Sequence, residues 1–163
     1  MLLTAKQKTP LGTLFLIADG KVLIAAGFRS FRDLHCRLEE SDQLKTVKEV
    51  RSLPGISGLI SDYFDGDCDA INQIAVRQPG QDFSQKVWRA MRRIPAGATL
   101  TYSELADRAG SPDAVRAAGS ACARNLIAPI IPCHRIVRSD GTLGNYGYGV
   151  KKKEWLLGFE GAL

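Results

Sequence analysis

A proline and a glycine within residues 78–81 (QPGQ) interrupt the apolar pattern of this 163-residue chain and separate two halves of different character. Before the break, short apolar runs alternate with turn residues. After it, most apolar residues follow the three- and four-residue spacing of helices. A chain of this length can bury one compact core or two small ones. The sequence therefore predicts an α/β domain over residues 1–78 and a mainly helical domain over residues 81–163.

The first half is predicted to combine a small antiparallel sheet with helices. Residues 13–18 (TLFLIA) and 22–26 (VLIAA) are apolar runs on either side of an Asp-Gly-Lys turn, a pattern typical of a β-hairpin. Residues 31–38 (FRDLHCRL) and 59–64 (LISDYF) instead place apolar side chains on one helix face. His35 is expected on or beside such a face.

An amphipathic helix is predicted at residues 82–94 (DFSQKVWRAMRRI), where the second half begins. Phe83, Val87 and Met91 follow helical spacing, and a proline directly after the segment ends it. Trp88 lies alongside this apolar stripe. Large apolar residues in such a stripe are more typical of a core than of ligand contacts.

Two short helices with a glycine between them are predicted next. Residues 101–104 (TYSE) fit a capping box, in which the threonine and glutamate side chains satisfy exposed amides of the first turn. After Gly110, Ser111 and Pro112 are typical of an N-cap and a first helical residue, and this helix is expected to run to about Arg124. The pair is either a helix-turn-helix or a plain helical hairpin.

The second of these helices, at residues 115–124 (VRAAGSACAR), carries few bulky side chains. Its backbone can therefore approach another surface closely while Arg116 projects from it. That surface is either a nucleic-acid backbone or a neighbouring helix. Residues 79–163 also hold the whole net charge of +5, with 12 Lys and Arg against 7 Asp and Glu, which permits a polyanionic partner without requiring one.

Cysteine usage and hydropathy indicate an intracellular protein. No apolar run approaches the roughly 20 residues that span a bilayer, and the first residues lack the order of a signal peptide. The four cysteines (Cys36, Cys68, Cys122 and Cys133) are scattered, so reduced thiols are expected. His35 with Cys36 and Cys68 could contribute to a zinc site, but their spacing matches no known template, and no metal is expected.

Cys133 and His134 form the chemically most distinctive pair, within IIPCHRIV at residues 130–137. A cysteine is a nucleophile only as its thiolate, and histidine titrates near neutrality and can take the proton. Adjacent side chains often point apart, so the pair requires a bridging water or an unusual turn, which Pro132 stiffens. Glu160 is a candidate to orient the imidazole. Adjacent Cys-His pairs also occur as buried structural residues, so the residues alone leave both interpretations open.

The order of motifs around this pair resembles the O6-alkylguanine-DNA alkyltransferases, also called methylated-DNA-protein-cysteine methyltransferases. The resemblance covers the second half from residue 82 onward and, more loosely, the first half through its hairpin and TPLG at residues 9–12. The motifs that carry it are RAAGSA (116–121), Asn125, PCHRIV (132–137), GNY (144–146) and EWLLGFE (154–160).

The resemblance implies a ribonuclease H-like α/β lobe with a small antiparallel sheet, followed by a helical lobe with a winged helix-turn-helix. It implies direct DNA repair, in which a guanine is flipped out of the duplex and its O6-alkyl group moves irreversibly to the cysteine, once per molecule. O4-alkylthymine is the expected second substrate. No cofactor and no metal are implied. The expected protein is a monomer that reads duplex DNA through the minor groove, in the cytoplasm with the nucleoid, or in a eukaryotic nucleus.

The same resemblance assigns roles to individual residues. Cys133 is the alkyl acceptor, His134 the water-mediated base and Glu160 its orienting acid, while Asn125 braces the turn that carries the cysteine. Tyr102 crowds the target phosphate and donates a proton to the leaving guanine. Arg116 enters the base stack. The remaining expected DNA contacts are Ala117, Ala118, Gly119, Ser103, Arg124 and Arg135, and the expected pocket residues are Tyr146, Gly147, Tyr148, Met91 and Pro132.

Two positions depart from the commoner family pattern. Leu126 follows Asn125 where many members have proline, which predicts a less rigid turn. Tyr148 follows Gly147 where many members have a small pair, which predicts a narrower pocket that disfavours large alkyl groups.

There are three alternatives to the alkyltransferase. One is a non-enzymatic relative that binds alkylated DNA, but in those proteins the cysteine is replaced, whereas Cys133 is present. A helix-turn-helix regulator with an incidental Cys-His pair is the second, and a cysteine hydrolase, which turns over repeatedly, is the third.

Overall fold

The computed structural model describes all residues from 1 to 163, and these form two compact units. The first comprises Met1–Pro79 and Leu126–Ile130, and the second comprises Gly80–Asn125 and Ile131–Leu163. The boundary between Pro79 and Gly80 lies within the QPGQ segment. The domain ranges predicted from the sequence differ from these units in one respect, because residues 126–130 group with the first unit.

A four-stranded mixed sheet with the order β3-β2-β1-β4 forms the centre of the first unit. Its strands are β1 (Leu2–Thr9), β2 (Gly12–Asp19), β3 (Val22–Gly27) and β4 (Val47–Glu49). The first three strands pair antiparallel, whereas β4 pairs with β1 in parallel. The prediction of an antiparallel sheet is therefore wrong for β4. The chain reaches β4 through a crossover that contains helices, and a crossover is what parallel pairing requires.

The predicted hairpin is confirmed as β2 and β3, with Gly20 at a φ of 61° in the turn between them. Glycine adopts this left-handed backbone without steric cost. Strand β1 was not predicted. Its sequence, LLTAKQKT, mixes lysines and glutamine with few apolar residues, and only its first half, including Leu2 and Ala5, is buried.

Three short α-helices and one 3-10 helix complete the first unit: α1 (Phe31–His35), α2 (Glu40–Gln43), α3 (Ser57–Phe64) and the 3-10 helix Ala70–Gln73. Helices α1 and α3 match the predicted segments, although α1 ends at His35, which is half-buried. No group of three or more His, Cys, Asp or Glu side chains is placed as a metal ion would need, and His35, Cys36 and Cys68 form no such group. None of the helices has the length and apolar character needed to cross a membrane.

The segment Leu126–Ile130 runs beside strand β3. The amide of Ala26 donates to the carbonyl of Leu126 (2.9 Å), and the amide of Ala128 donates back to Ala26 (3.2 Å). The side chain of Gln78 accepts from the amide of Leu126 at 2.8 Å. These bonds explain why a segment from the helical half of the sequence joins the first unit.

Four helices and a two-stranded parallel sheet form the second unit. They are α4 (Asp82–Arg92), β5 (Leu100–Thr101), α5 (Tyr102–Arg108), α6 (Val115–Ala123), β6 (Ile136–Val137) and α7 (Val150–Phe159). The predicted amphipathic helix is confirmed as α4. Trp88 and Met91 are buried, and Trp88 Nε1 donates to the carbonyl of Ala121 at 2.9 Å, which fixes α4 against α6.

The capping box of α5 is present. The hydroxyl of Thr101 accepts from the amide of Glu104 (3.2 Å), and the Glu104 carboxylate accepts from the amide of Thr101 (3.0 Å). The predicted start of the next helix is wrong, because α6 begins at Val115. The amide of Ala114 donates to the carbonyl of Ser111 (2.9 Å), so Ser111 belongs to a turn before the helix and is not its N-cap.

Candidate active site

The turn before strand β6 presents Cys133, which begins a one-turn 3-10 helix and is partly exposed. Its amide donates to the carbonyl of Ile131 (2.9 Å). The side chain of Asn125 donates to the same carbonyl (2.8 Å) and hydrogen-bonds the Cys133 thiol. Asn125 thus contacts the turn, as the family resemblance implies. Leu126, in place of the commoner proline, does not prevent it.

Behind the cysteine lies a fully buried group of three charged or titratable side chains. His134 Nε2 lies 2.9 Å from Glu160 Oε2. Arg135 donates through Nε to Glu160 Oε1 and through Nη2 to Glu160 Oε2, each at 2.9 Å. Its third nitrogen, Nη1, donates to the carbonyl of Ile94 at 2.6 Å. One carboxylate therefore serves both an imidazole and a guanidinium.

The electrostatics of this group determine which nitrogen of His134 can accept a proton. Burial alone would raise the pKa of Glu160, but its hydrogen bonds to His134 and Arg135 and the positive charge of Arg135 outweigh burial and lower this pKa to about 2. Burial lowers the pKa of His134 despite the nearby carboxylate. An ionised Glu160 can only accept, so a neutral His134 donates through Nε2 and keeps the lone pair on Nδ1. That Nδ1 is buried and has no hydrogen-bond partner in the protein.

A lysine that the sequence analysis did not single out lies near the thiol. Lys153 is fully buried and donates through Nζ to the carbonyls of Ile136 (2.6 Å) and Asn145 (3.3 Å). Burial raises the pKa of the Cys133 thiol, and the Asn125 hydrogen bond and the positive charge of Lys153 counteract this. Burial also raises the pKa of Cys122, to about 12, so this second thiol is a poor nucleophile.

The spacing of α7 carries a signal for this lysine. Its buried positions are Lys153, Leu156, Leu157 and, directly after the helix, Glu160. These residues recur at three- and four-residue intervals, which places a lysine and a glutamate on the apolar face of a helix. A charged side chain in that position requires buried partners, and such groups are concentrated at functional sites.

Three tyrosines surround the turn and its following loop. Tyr102 is half-buried at the start of α5, and burial, with smaller contributions from Cys122 and Cys133, raises its pKa. The ring of Tyr146 lies edge-on to His134 (6.5 Å between centroids) and to Tyr148 (5.9 Å). The loop thus places Tyr146 and Tyr148 beside the buried group that supports Cys133.

The residues expected to contact DNA divide into an exposed and a buried set. Those with exposed or half-exposed positions are Tyr102, Ser103, Arg116, Ala117, Gly119 and Arg124. Ala118 is fully buried on the inner face of α6, and Arg135 is fully buried against Glu160, so the prediction that these two contact DNA is wrong. Among the expected pocket residues, Tyr146, Gly147 and Tyr148 lie in the exposed loop. Met91 and Pro132 are buried, Met91 with no exposed surface.

Acidification is expected to destabilise the protein through Glu160. A carboxylate whose folded pKa of about 2 lies below its ordinary 4.5 stabilises the fold above pH 4.5, and this stabilisation is lost as the pH falls towards 2. The shift corresponds to about 3 kcal/mol. Urea denaturation gives the free energies of unfolding of wild type and Glu160→Gln. The difference between them should therefore shrink as the pH falls from 4.5 towards 2. A constant difference between them contradicts the assignment of a low pKa to Glu160.

Comparison with known proteins covers both units. The family model described as 6-O-methylguanine DNA methyltransferase, DNA binding domain, matches residues 82–162. A methylated-DNA–protein-cysteine methyltransferase of Salmonella typhimurium is 36% identical over 170 residues, which cover 99% of this chain and 97% of that protein. This chain belongs to the methylated-DNA–protein-cysteine methyltransferase family.

Solved structures of this methyltransferase family have the same fold. An R37L variant of the Mycobacterium tuberculosis O6-methylguanine methyltransferase is 32% identical, with a TM-score of 0.79 over 99% of this chain and 94% of that one. The OGT protein of the same organism in complex with DNA is 30% identical, with a TM-score of 0.76 over 98% and 93% of the two chains. The stretch that matches the family model contains Asn125 and Cys133, and it also contains the whole buried group of His134, Arg135 and Glu160.

Proposed function

We propose that this chain repairs DNA directly by moving the alkyl group of O6-alkylguanine, and of O4-alkylthymine, to its own Cys133. The observation that carries the proposal is the buried His134–Glu160 pair next to Cys133, a partly exposed residue, with Nδ1 of the imidazole left without a partner in the protein. A buried acceptor without a partner is what a base needs in order to take a proton from a thiol through one water.

The protons and electron pairs of the transfer balance without a cofactor. The Cys133 proton passes through a water to His134 Nδ1, and the thiolate sulfur forms a bond to the alkyl carbon. The bond from that carbon to O6 breaks, and its electron pair stays with the guanine. Tyr102 donates a proton to the guanine. The imidazolium and the phenolate then return to their resting forms by exchange with water, and the thioether on Cys133 remains.

A thioether has no route back to a thiol in this site, so each molecule acts once. The buried Glu160 carries the charge that stabilises the imidazolium while the proton resides on it, and its two oxygens are already fixed by Arg135. The protein thus supplies the base and its orientation, while the soft sulfur supplies the nucleophile.

The DNA surface that we propose is α6 together with the start of α5, arranged as a winged helix-turn-helix that enters the minor groove. Arg116 and Ala117 are exposed on α6, where small side chains permit close approach to a backbone. The relative from Mycobacterium tuberculosis in complex with DNA supports a DNA partner.

We further propose a ribonuclease H-like first lobe, and a monomer that acts in the cytoplasm with the nucleoid, or in a eukaryotic nucleus.

The mass of the intact protein tests the proposal. After incubation with excess duplex that contains O6-methylguanine, each molecule should gain one methyl group and no more, on the peptide that contains Cys133. Repeated turnover would indicate a cysteine hydrolase. Binding without any change in mass would indicate a DNA-binding regulator.

Arg116→Ala is expected to slow repair of a duplex by roughly 10- to 100-fold, while transfer from a free O6-alkylguanine base changes little. The reason is that the exposed guanidinium fills the space that the flipped nucleotide leaves, a task that a free base does not require. Single-turnover rates on both substrates measure the effect. Arg51→Ala removes the same charge from an exposed position in the first unit and serves as the control. Equal losses on both substrates contradict this role.

Tyr148→Gly is expected to speed transfer from O6-benzylguanine selectively and to leave the methyl substrate nearly unchanged. Tyr148 is half-buried and its ring packs edge-on against Tyr146, so it occupies space beside the site. Rates of the two substrates with wild type, Tyr148→Gly and Tyr148→Phe give the measurement. The phenylalanine variant keeps the bulk of the ring and should retain the wild-type selectivity. Unchanged selectivity in the glycine variant would show that Tyr148 does not line the pocket.

A further inference from the structure

Arg135 makes three hydrogen bonds that the transfer chemistry itself does not require. Its guanidinium bonds both oxygens of Glu160 and the carbonyl of Ile94, and it is fully buried. A buried charged group costs free energy unless it is paired, and an apolar pair of similar size is often as stable. The Arg135 guanidinium thus pairs with Glu160, the carboxylate that also hydrogen-bonds His134.

Burial is the main factor that favours the neutral imidazole of His134, and the Glu160 carboxylate acts against it. A lone carboxylate at hydrogen-bond distance favours the imidazolium, and a protonated His134 cannot take the proton of Cys133. Arg135 changes this balance because its positive charge already neutralises Glu160, and because a second positive charge beside it is disfavoured. The hydrogen bonds to both oxygens also fix the plane of the carboxylate, and with it the tautomer of His134.

We propose that Arg135 is a positioning residue for alkyl transfer, which holds Glu160 and keeps His134 neutral with its acceptor on Nδ1. The proposal rests on the proposed function of Cys133 and His134. It assigns a role to the arginine that follows the Cys-His pair in the chain, in place of the DNA contact expected from the family resemblance.

The other groups that face His134 do not replace this role. Glu160 and Lys153 face it from the last helix and its end, Cys133 precedes it in the turn, and the Tyr146 ring packs against its edge from the loop. Lys153 also disfavours the imidazolium, but its ammonium bonds backbone carbonyls. Arg135, in contrast, donates side-chain hydrogen bonds to both oxygens of Glu160, the carboxylate that holds His134.

The test compares Arg135→Met and Arg135→Lys with wild type by two measurements across pH. The first is the nuclear magnetic resonance titration of His134, which is tractable because His35 is the only other histidine. The second is the single-turnover rate on methylated duplex. In Arg135→Met the titration midpoint of His134 should move to higher pH. The rate at neutral pH should fall at least ~10-fold and recover at higher pH, because the histidine is then neutral again. Arg135→Lys keeps the charge and should keep a midpoint near that of wild type.

Arg93→Met is the matched control, because it removes an exposed arginine of the same unit and should leave the His134 titration unchanged. If Arg135→Met does not fold, Arg135→Met/Glu160→Gln removes both buried charges and is compared with Glu160→Gln. The His134 midpoint should still be higher in the double variant, because the repelling cation is gone.

If Arg135→Met leaves the titration midpoint of His134 unchanged and reduces the transfer rate equally at every pH, the proposal is overturned. Arg135 then has a packing role only. A wild-type protein that transfers no alkyl group instead contradicts the proposed function. The titration still reports on Arg135 in that case, so the two failures are distinguishable.

Discussion

Cys133→Ala is expected to abolish alkyl transfer to the limit of detection while affinity for duplex DNA changes little. Cys133 supplies the thiol of the turn, and the hydrogen bond from Asn125 to the carbonyl of Ile131 does not involve the sulfur. An alanine also fits the space of a cysteine. Mass spectrometry with excess methylated duplex measures the transfer, and fluorescence anisotropy measures the binding.

Cys36→Ala is the matched control for this variant. Cys36 is exposed in the first unit and makes only a local contact with the carbonyl of Asp33, so its loss should leave the transfer rate unchanged. Peptide mapping of the wild type should place the methyl group on Cys133 and leave Cys36, Cys68 and Cys122 unmodified. A methyl group on any of these three cysteines, or transfer by Cys133→Ala, contradicts the assignment.

His134→Phe is expected to slow transfer by roughly 10²- to 10⁴-fold at neutral pH, which is the range that a general base contributes. Burial raises the pKa of the Cys133 thiol, so the thiolate is scarce unless a neighbouring group takes the proton. Phenylalanine preserves the ring and its burial but offers no acceptor. Because hydroxide can remove the thiol proton in its place, the loss should shrink as the pH rises.

The pH dependence separates the base from a packing effect. A loss that is equal at every pH indicates altered packing and contradicts the role of His134 as base. His35→Phe is the control, since His35 is half-buried in the first unit and should not affect the rate. Circular dichroism of both variants checks that the ring substitution preserves the fold.

The local features of the fold could be predicted from the sequence. The Asp-Gly turn, the capping box at Thr101 and the apolar stripe of α4 each depend on residues that are close in the chain, and each is present. The prediction of His134 beside Glu160 came from the family resemblance, and their distance of 2.9 Å confirms the contact.

Features that depend on distant partners could not be predicted in this way. Strand β1 carries a weak apolar pattern and exists because β2 and β4 pair with it on either side. The segment Leu126–Ile130 joins the first unit through hydrogen bonds to Ala26 and Gln78, which lie far earlier in the chain. No local pattern encodes these pairings.

The sequence by itself determined the chemistry of this protein: a thiol, an imidazole and a carboxylate, in an order that belongs to one family. Only the tertiary structure decided which charged groups serve that chemistry. Arg135 and Lys153 lie in the half of the chain that holds the net positive charge, and both are fully buried. The reason is physical, because a charge is stable in the interior only where partners satisfy it, and the partner of Arg135 lies 25 residues away at the end of the last helix.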